Sequence, residues 1–146
     1  EVHIMPLFSS ENVLVPMDFS NEANQTLKDT LDFVEAPEKL HVVNVLAPLE
    51  ATEPGVIWQT VDDDTRLKKV TETFYQRFPE EAYQSVKFTV AIGNPSSEII
   101  DYAEQNSIDL IVMSSSGKTG ISRFFLGSVA ERVVRFAHCP VLVMRQ

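Results

Sequence analysis

The sequence is poor in the residues on which several classes of protein depend. It has a single cysteine, Cys139, so no intrachain disulfide can form, which favours a reducing compartment such as the cytoplasm. No apolar run approaches the roughly 18 residues of a membrane-spanning helix. There are 12 Lys and Arg against 21 Asp and Glu, which gives a net charge of −9. Because this charge repels a phosphate backbone and the basic residues are scattered, we do not expect a nucleic acid as a partner. Because no apolar run is long enough, we do not expect a membrane as a partner either.

Glycine is also scarce, with five residues, and this bears on the stretch "SSSGKTG" that begins at Ser114. Its Gly-Lys-Thr string also ends the phosphate-binding loop of many ATPases. The full pattern requires a glycine five positions before Gly117, where this chain has Val112. That loop also lies early in its domain, whereas this stretch lies near the C-terminus. The string therefore does not predict a P-loop ATPase.

What the sequence does contain is a regular alternation of short apolar runs with amphipathic stretches. The apolar runs predict strands at 12–17, 40–47, 85–92, 109–115 and 140–145. Helical spacing of apolar residues predicts helices at 21–35, from about 62, from 95 and around 129–137. This order predicts an α/β fold, a doubly wound five-stranded parallel sheet with helices on both faces. We expect one domain at 12–146, after a short leader at 1–11 that lacks the features of a signal peptide.

The loops after strands one, two and four are the predicted ligand site, because ligands of such sheets bind at the carboxyl ends of the strands. Asp18 ends the first strand, and Gly117 and Gly127 lie in the loop after the fourth. Ser128 and Glu131 have the spacing of a capping box that begins the last helix. The free N–H groups of that helix start would suit a phosphate.

Each of these residues also has a purely structural interpretation. Asp18 could only cap the first helix, for which Ser20 and Asn21 are further candidates. The glycines could be turn residues, and Ser128 only a cap. The three carboxylates at 62–64 have two interpretations, a Mg²⁺ site or a charged helix start, and we favour the helix start.

Other chemistry finds little support in the sequence. The three histidines lack metal-ligand spacing, and Cys139 is expected to be buried and inert. Trp58 is interpreted either as a cover over a ligand or as a surface aromatic. No catalytic constellation is present, so we expect neither catalytic nor metal-binding residues. A phosphoacceptor receiver domain would need an Asp at the end of the third strand, where this chain has Ala91, Ile92 and Gly93.

Three stretches taken together resemble the universal stress protein family: "VLVPMDFS", "AIGNPSSEII" and "DLIVMSSSGKTGISRFFLGSVAERVVRFAHCPVLVMR". The resemblance runs from about residue 12 to 145 and implies the strand order 3-2-1-4-5. The ATP-binding branch of the family has Gly, two residues, Gly, nine residues, Gly, then Ser or Thr. This chain matches at Gly117, Gly127 and Ser128 and has Ser114 at the first position.

The resemblance implies a regulatory protein that binds ATP or another adenine nucleotide, with or without Mg²⁺. Asp18 would hold the adenosine part, and Val45 would pair with adenine through its backbone. The complete set of implied nucleotide-binding residues is Pro16, Met17, Asp18, Val45, Met113, Ser114, Gly117, Gly127, Ser128 and Val129. The resemblance also implies a homodimer through the C-terminal strand "PVLVMRQ". The alternatives are a dimeric interaction protein of the same fold that binds no nucleotide, and a slow ATP hydrolase.

Overall fold

The computed structural model describes residues 7–50, 62–116 and 125–145. Within these ranges five strands form one sheet in the order β3-β2-β1-β4-β5, and every pair of neighbours is parallel. The strands are β1 Val13–Pro16, β2 Leu40–Leu46, β3 Lys87–Ile92, β4 Leu110–Ser114 and β5 Val141–Met144. The parallel doubly wound sheet and its strand order are therefore confirmed.

Four helices accompany these strands in the described ranges, joined in places by short 3-10 turns. They are α1 Asn21–Phe33, α2 Asp63–Arg77, α3 Pro95–Gln105 and α4 Ser128–Phe136. The first three begin at a polar cap, because the side chains of Ser20, Asp62 and Asn94 each accept a hydrogen bond from a backbone N–H three residues further on. The cap at Ser20 decides between the candidates for α1.

The start of α4 differs from the predicted capping box. Ser128 is the first helical residue, and the cap is Gly127, which makes no side-chain hydrogen bond. The carboxylate of Glu131 does not turn back toward the helix start but pairs with Arg135 one turn later, at 2.7 Å. The prediction was wrong because an ion pair four residues apart on the helix surface competes for the same carboxylate.

The sheet is covered on both faces by helices. On one face α1 and α2 pack against the sheet through residues such as Leu27 and Phe74, both fully buried. On the other face Ile99 of α3 and Val133 of α4 complete a second core. Because β4 faces both cores, its residues from Leu110 to Met113 are all buried, as a continuous apolar run predicts.

The edges of the domain refine two further predictions. Phe8, inside the predicted leader, packs on Phe33 with ring centroids 6.5 Å apart, and the boundary at residue 12 stays a prediction. Cys139 is half-buried rather than fully buried. Burial raises the pKa of its thiol, and Asp109 adds to the rise, which favours the protonated and less reactive form. None of the helices in the described ranges is long and apolar enough to span a bilayer.

Candidate functional site

A cavity of about 270 Å³ lies at the carboxyl ends of β1, β2 and β4, the position that the fold rule selects. Its volume is slightly below the range of about 300–1,000 Å³ that is typical of small-ligand sites. Nine of the ten predicted site residues line it: Pro16, Met17, Asp18, Val45, Met113, Ser114, Gly127, Ser128 and Val129. Gly117 and Trp58 lie outside the described residues. The structure thus brings four separate segments together, and their role as nucleotide contacts stays a prediction.

Sequence reasoning missed one side of this cavity. Pro95 and Ile99 line it from the first turns of α3, and Val43 lines it from β2. The stretch "GNPSSEII" predicts a helix start and contributes to the family resemblance, but none of its residues is in the predicted site, although the start of this helix lies at the cavity. Val43 could have been found, because residues two apart on a strand point to the same face and Val45 was already in the set.

The loop after β1 is fixed to β2 by two hydrogen bonds. The N–H group of Met17 donates to the carbonyl oxygen of Val43 at 2.7 Å, and the side-chain amide of Asn44 donates to the carbonyl oxygen of Met17 at 2.8 Å. Asp18 is therefore held in place by its neighbours. Its Oδ1 atom accepts from the N–H group of Ser20 at 2.9 Å, so Asp18 supports the loop while Ser20 caps α1.

Phe19 turns the chain from this loop into α1 with an unusual backbone. Its φ angle is 62°, in the left-handed region that favours glycine, and a bulky residue there costs about 1–3 kcal/mol. Arg77 opposes this cost from α2, because its Nη1 atom donates to the carbonyl oxygen of Phe19 at 3.3 Å. The same guanidinium lies 5.4 Å from the centroid of the Phe19 ring. The strain lies directly beside Asp18.

The loop after β4 begins and ends with internal hydrogen bonds. The hydroxyl of Ser114 donates to the carbonyl oxygen of Ser116 at 2.8 Å, and the N–H group of Gly127 donates to the carbonyl oxygen of Ser115 at 2.7 Å. Among the described non-glycine residues only Phe19 and Ser107 have a positive φ. Ser114 therefore stands in place of the family's glycine without backbone strain.

The chemistry of the cavity combines apolar walls with one helix start. Val43, Val45, Ile99 and Met113 provide apolar surface, on which a flat heterocycle can pack. Ser128 begins α4 at the cavity, so the positive end of the helix dipole faces it. Among the described residues of the lining, Asp18 is the only one that carries a charge. The site thus offers a helix start that suits an anionic group, and a carboxylate that can accept hydrogen bonds.

A dedicated metal site is not found in the part of the chain that the structure describes, where no group of three or more His, Cys, Asp or Glu could hold an ion. Asp62 instead accepts a 2.7 Å hydrogen bond from the N–H group of Thr65. Hydrogen bonding to Thr65 lowers the pKa of this carboxyl. Asp63 pairs with Arg66 at 3.4 Å. These contacts favour the helix-start interpretation of the three carboxylates.

The fold and the cavity define a class, the doubly wound α/β proteins whose ligand pocket lies where the strand order reverses, here between β1 and β4. The family model described as "Universal stress protein family" matches residues 10–145. The chain therefore belongs to the universal stress protein family, as its motifs indicated.

Relatives in this family are similar over almost the whole chain. Universal stress protein MJ0531 from Methanocaldococcus jannaschii is 32% identical over 146 residues, which cover 93% of this chain and 82% of the relative. Universal stress protein MJ0577 from the same organism is 30% identical and covers 93% of this chain and 95% of the relative. The structure of universal stress protein UspA from Lactobacillus plantarum has a TM-score of 0.70 at 27% identity, with 93% and 98% of the two chains covered.

Two further universal stress protein structures contain adenine nucleotides. One is a complex with cAMP, with a TM-score of 0.60 at 16% identity over 96% of this chain and 99% of the other. The other, from Archaeoglobus fulgidus, is a complex with dAMP, with a TM-score of 0.57 at 21% identity over 92% and 97% of the two chains. At these identities the likeness to this chain concerns the fold. The two complexes also show that some proteins of this fold bind adenine nucleotides.

Proposed function

We propose that this protein binds an adenine nucleotide, ATP in the first instance, in the cavity at the carboxyl ends of β1, β2 and β4. The observation that carries the proposal is the convergence on one cavity of nine predicted residues from four segments of the chain. The role we infer is regulatory rather than catalytic, within a stress response. The single cysteine favours a reducing compartment such as the cytoplasm.

The adenine ring and the ribose fit the part of the cavity next to β1 and β2. Val43 and Val45 provide an apolar wall there, and the edge of the ring would meet the backbone at Val45. The hydroxyl and amino groups of adenosine are donors, and Asp18 is an acceptor with Oδ1 already oriented by Ser20. A carboxylate therefore suits the nucleoside end of the ligand better than its phosphate end.

The phosphates fit the start of α4. The first turn of a helix has N–H groups without partners inside the helix, and its dipole attracts an anion. These local groups offset the net charge of −9, which disfavours an anionic ligand at long range. Mg²⁺, where the nucleotide carries it, would be held mainly by phosphate oxygens, because Asp18 is the only carboxylate that the described residues contribute to the lining.

The second part of the proposal is a homodimer through β5, which lies at one end of the strand order. Ile111 N–H donates to the carbonyl of Pro140, and Ser115 N–H donates to that of Met144. Because alternate residues of a strand point their backbone groups to opposite sides, those of Val141 and Val143 point to the outer edge. The side chain of Leu142 in the same strand is 43% exposed. A second copy of β5, antiparallel around a two-fold axis, would cover this edge.

The nucleotide proposal is tested by calorimetric titration of the purified protein with ATP, with and without Mg²⁺. Gly127 is the position for a graded obstruction, because its φ of −60° and ψ of 153° are open to any residue. Gly127→Ala should weaken binding and Gly127→Val should abolish it, while the melting temperature of both variants stays close to that of the unmodified protein. Unchanged affinity in Gly127→Val would remove the cavity as the binding site.

The outcome also decides between the proposal and its main alternative. A protein that releases no heat with millimolar ATP and yet forms a dimer would be an interaction protein without a nucleotide. The hydrogen bond that already engages the N–H group of Gly127 with Ser115 is the observation that favours this alternative. Hydrolysis is checked in the same samples by measuring released phosphate.

A further inference from the structure

Arg132, on the side of α4, is joined to the cap of α3 by a short chain of hydrogen bonds. Its Nε–H group donates to the Oγ atom of Ser96 at 3.0 Å. Ser96 is 3% exposed, and its hydroxyl donates in turn to Oδ1 of Asn94 at 2.8 Å. The same Oδ1 atom accepts from the N–H group of Ser97 and so caps α3. A side chain of one helix thus holds the first turn of the other.

The two helix turns that this chain joins both line the cavity. Pro95 contributes to the lining from α3, and Val129 contributes from α4. Ser96 follows Pro95 directly in the chain. Val129 lies three residues before Arg132, so Val129 and Arg132 lie on the same side of α4. The hydrogen bond between Arg132 and Ser96 therefore lies next to the part of the cavity wall that Pro95 and Val129 form. It fixes the separation of the two helix turns that carry these residues.

The hydrogen bond between Arg132 and Ser96 opposes an electrostatic repulsion between the starts of α3 and α4. Both helices begin at the cavity, and each start carries about half a positive charge, so the two turns repel each other. Arg132 adds a full positive charge, and it takes part in none of the four ion pairs of the described residues. Its guanidinium is steadied on the other side by the ring of Phe136, 5.8 Å away.

We propose that Arg132 is a positioning residue of the cavity. Its hydrogen bond to Ser96 sets the separation of the first turns of α3 and α4, and with it the fit of the phosphate groups of the nucleotide. The part of this inference that concerns affinity rests on the proposed function. The hydrogen bond from Nε, rather than the charge of the guanidinium, is the feature that acts.

Three substitutions of Arg132 separate the hydrogen bond from the charge. Arg132→Gln keeps an N–H donor at the same number of bonds from Cα and removes the charge. Arg132→Lys keeps the charge and moves the donor one bond further out, and Arg132→Ala removes both. In calorimetric titration with ATP, we expect Arg132→Gln to bind within about twofold of the unmodified protein, and the other two about three- to tenfold more weakly. If Arg132→Lys binds normally and Arg132→Gln binds like Arg132→Ala, the charge acts and the proposal is overturned.

A double-mutant cycle tests the partner. Ser96→Ala removes the acceptor of the hydrogen bond, so it should weaken ATP binding about as much as Arg132→Ala. The double variant should be no weaker than the weaker single variant, because both remove the same contact. Melting temperatures are recorded for each protein to exclude a loss of folded material. Additive losses of affinity would show that the two residues act separately and would contradict the proposal.

A measurement without nucleotide keeps this inference distinct from the proposed function. The amide hydrogens of Ser97 and Glu98 bond to the side chain and the carbonyl of Asn94. Their exchange with deuterium should be faster in Arg132→Ala and Arg132→Lys and unchanged in Arg132→Gln. If the unmodified protein binds no ATP, the proposed function fails, and the exchange still decides on the contact. Equal exchange in all four proteins overturns it.

Discussion

The N–H group of Gly127 donates a 2.7 Å hydrogen bond to the carbonyl oxygen of Ser115. These two residues lie near the end and the start of the loop that joins β4 to α4, so the bond brings its two ends together. At the start of this loop, the hydroxyl of Ser114 donates a second hydrogen bond to the carbonyl oxygen of Ser116, at 2.8 Å. Both bonds are made by the protein itself, and they place Ser128 and Val129 at the cavity.

Ser114→Gly should weaken ATP binding, although the ATP-binding branch of the family has glycine at this position. The variant loses the hydrogen bond to Ser116, worth about 0.5–1.5 kcal/mol, and gains backbone freedom worth about 0.5–1 kcal/mol. Ser114→Ala loses only the first of these and should fall between the two proteins. Calorimetric titration and urea unfolding measure the effects. Tighter binding by Ser114→Gly would mean that the serine side chain obstructs the nucleotide.

Asp18→Asn should weaken the binding of adenosine more than that of ATP. The amide keeps the shape and one acceptor but replaces a charged hydrogen bond by a neutral one, which costs adenosine about five- to tenfold in affinity. With ATP the loss is partly offset, because the carboxylate no longer repels the phosphates. Parallel titrations with the two ligands give the comparison. A larger loss with ATP than with adenosine would place Asp18 at the phosphate end.

His41 is a buried titrating group on the face of the sheet that α3 covers. It is 4% exposed, and its Nδ1 atom lies 2.7 Å from the hydroxyl oxygen of Tyr102. Lys87 is the charged neighbour that acts on the histidine. Its Nε2 atom has no partner among the described residues. A proton added here would be buried without a counter-ion.

Burial lowers the pKa of His41 below its usual 6.5, and the charge of Lys87 lowers it further. Below about pH 6.5 this histidine binds a proton in the unfolded chain but stays neutral in the folded chain. The free energy of unfolding therefore decreases as the pH falls from about 6.5 toward the pKa of His41 in the folded protein. His41→Phe fills the space and does not titrate. Between about pH 7 and pH 5 it should lose less free energy of unfolding than the unmodified protein. Equal losses in urea unfolding at the two pH values would show that His41 does not contribute.

Val143→Pro should convert the expected dimer into a monomer without unfolding it. The residue directs its backbone N–H to the outer edge of β5, so proline removes a donor to the second subunit and leaves the bonds to β4 intact. Val143→Ala, which keeps the N–H group, is the control and should remain dimeric. Light scattering gives the mass. A value near the 16.4 kDa of one chain for the unmodified protein would contradict dimerisation through β5.

The features that the sequence predicts well are those encoded locally. All five strands lie within about two residues of their predicted limits, because short apolar runs between helix caps leave few alternatives. The cavity follows from the strand order and the family motifs. The predicted start of α4 was wrong by one residue, because the spacing of Ser128 and Glu131 does not reveal that Arg135 takes the carboxylate.

The features that escaped prediction depend on contacts between distant parts of the chain. Phe19, in the loop before α1, adopts a left-handed backbone, and the contact that stabilises it comes from Arg77 on α2. Arg132 meets Ser96 across the two helices of the same face. Nothing in the local sequence marks either pair, since each residue by itself is ordinary for its position. Only the packing of the helices on the sheet brings them together.

The most direct test of nucleotide binding in this cavity is a titration of isotope-labelled protein with ATP, followed by the backbone amide signals in NMR spectra. Binding there predicts that the signals of Asp18, Val45, Ser128 and Val129 shift together with one dissociation constant. The signals of Lys39 and Lys87 should not shift, because these residues lie at the amino ends of β2 and β3, away from the cavity. No shift at millimolar ATP, or shifts centred away from the cavity, would contradict the proposed function.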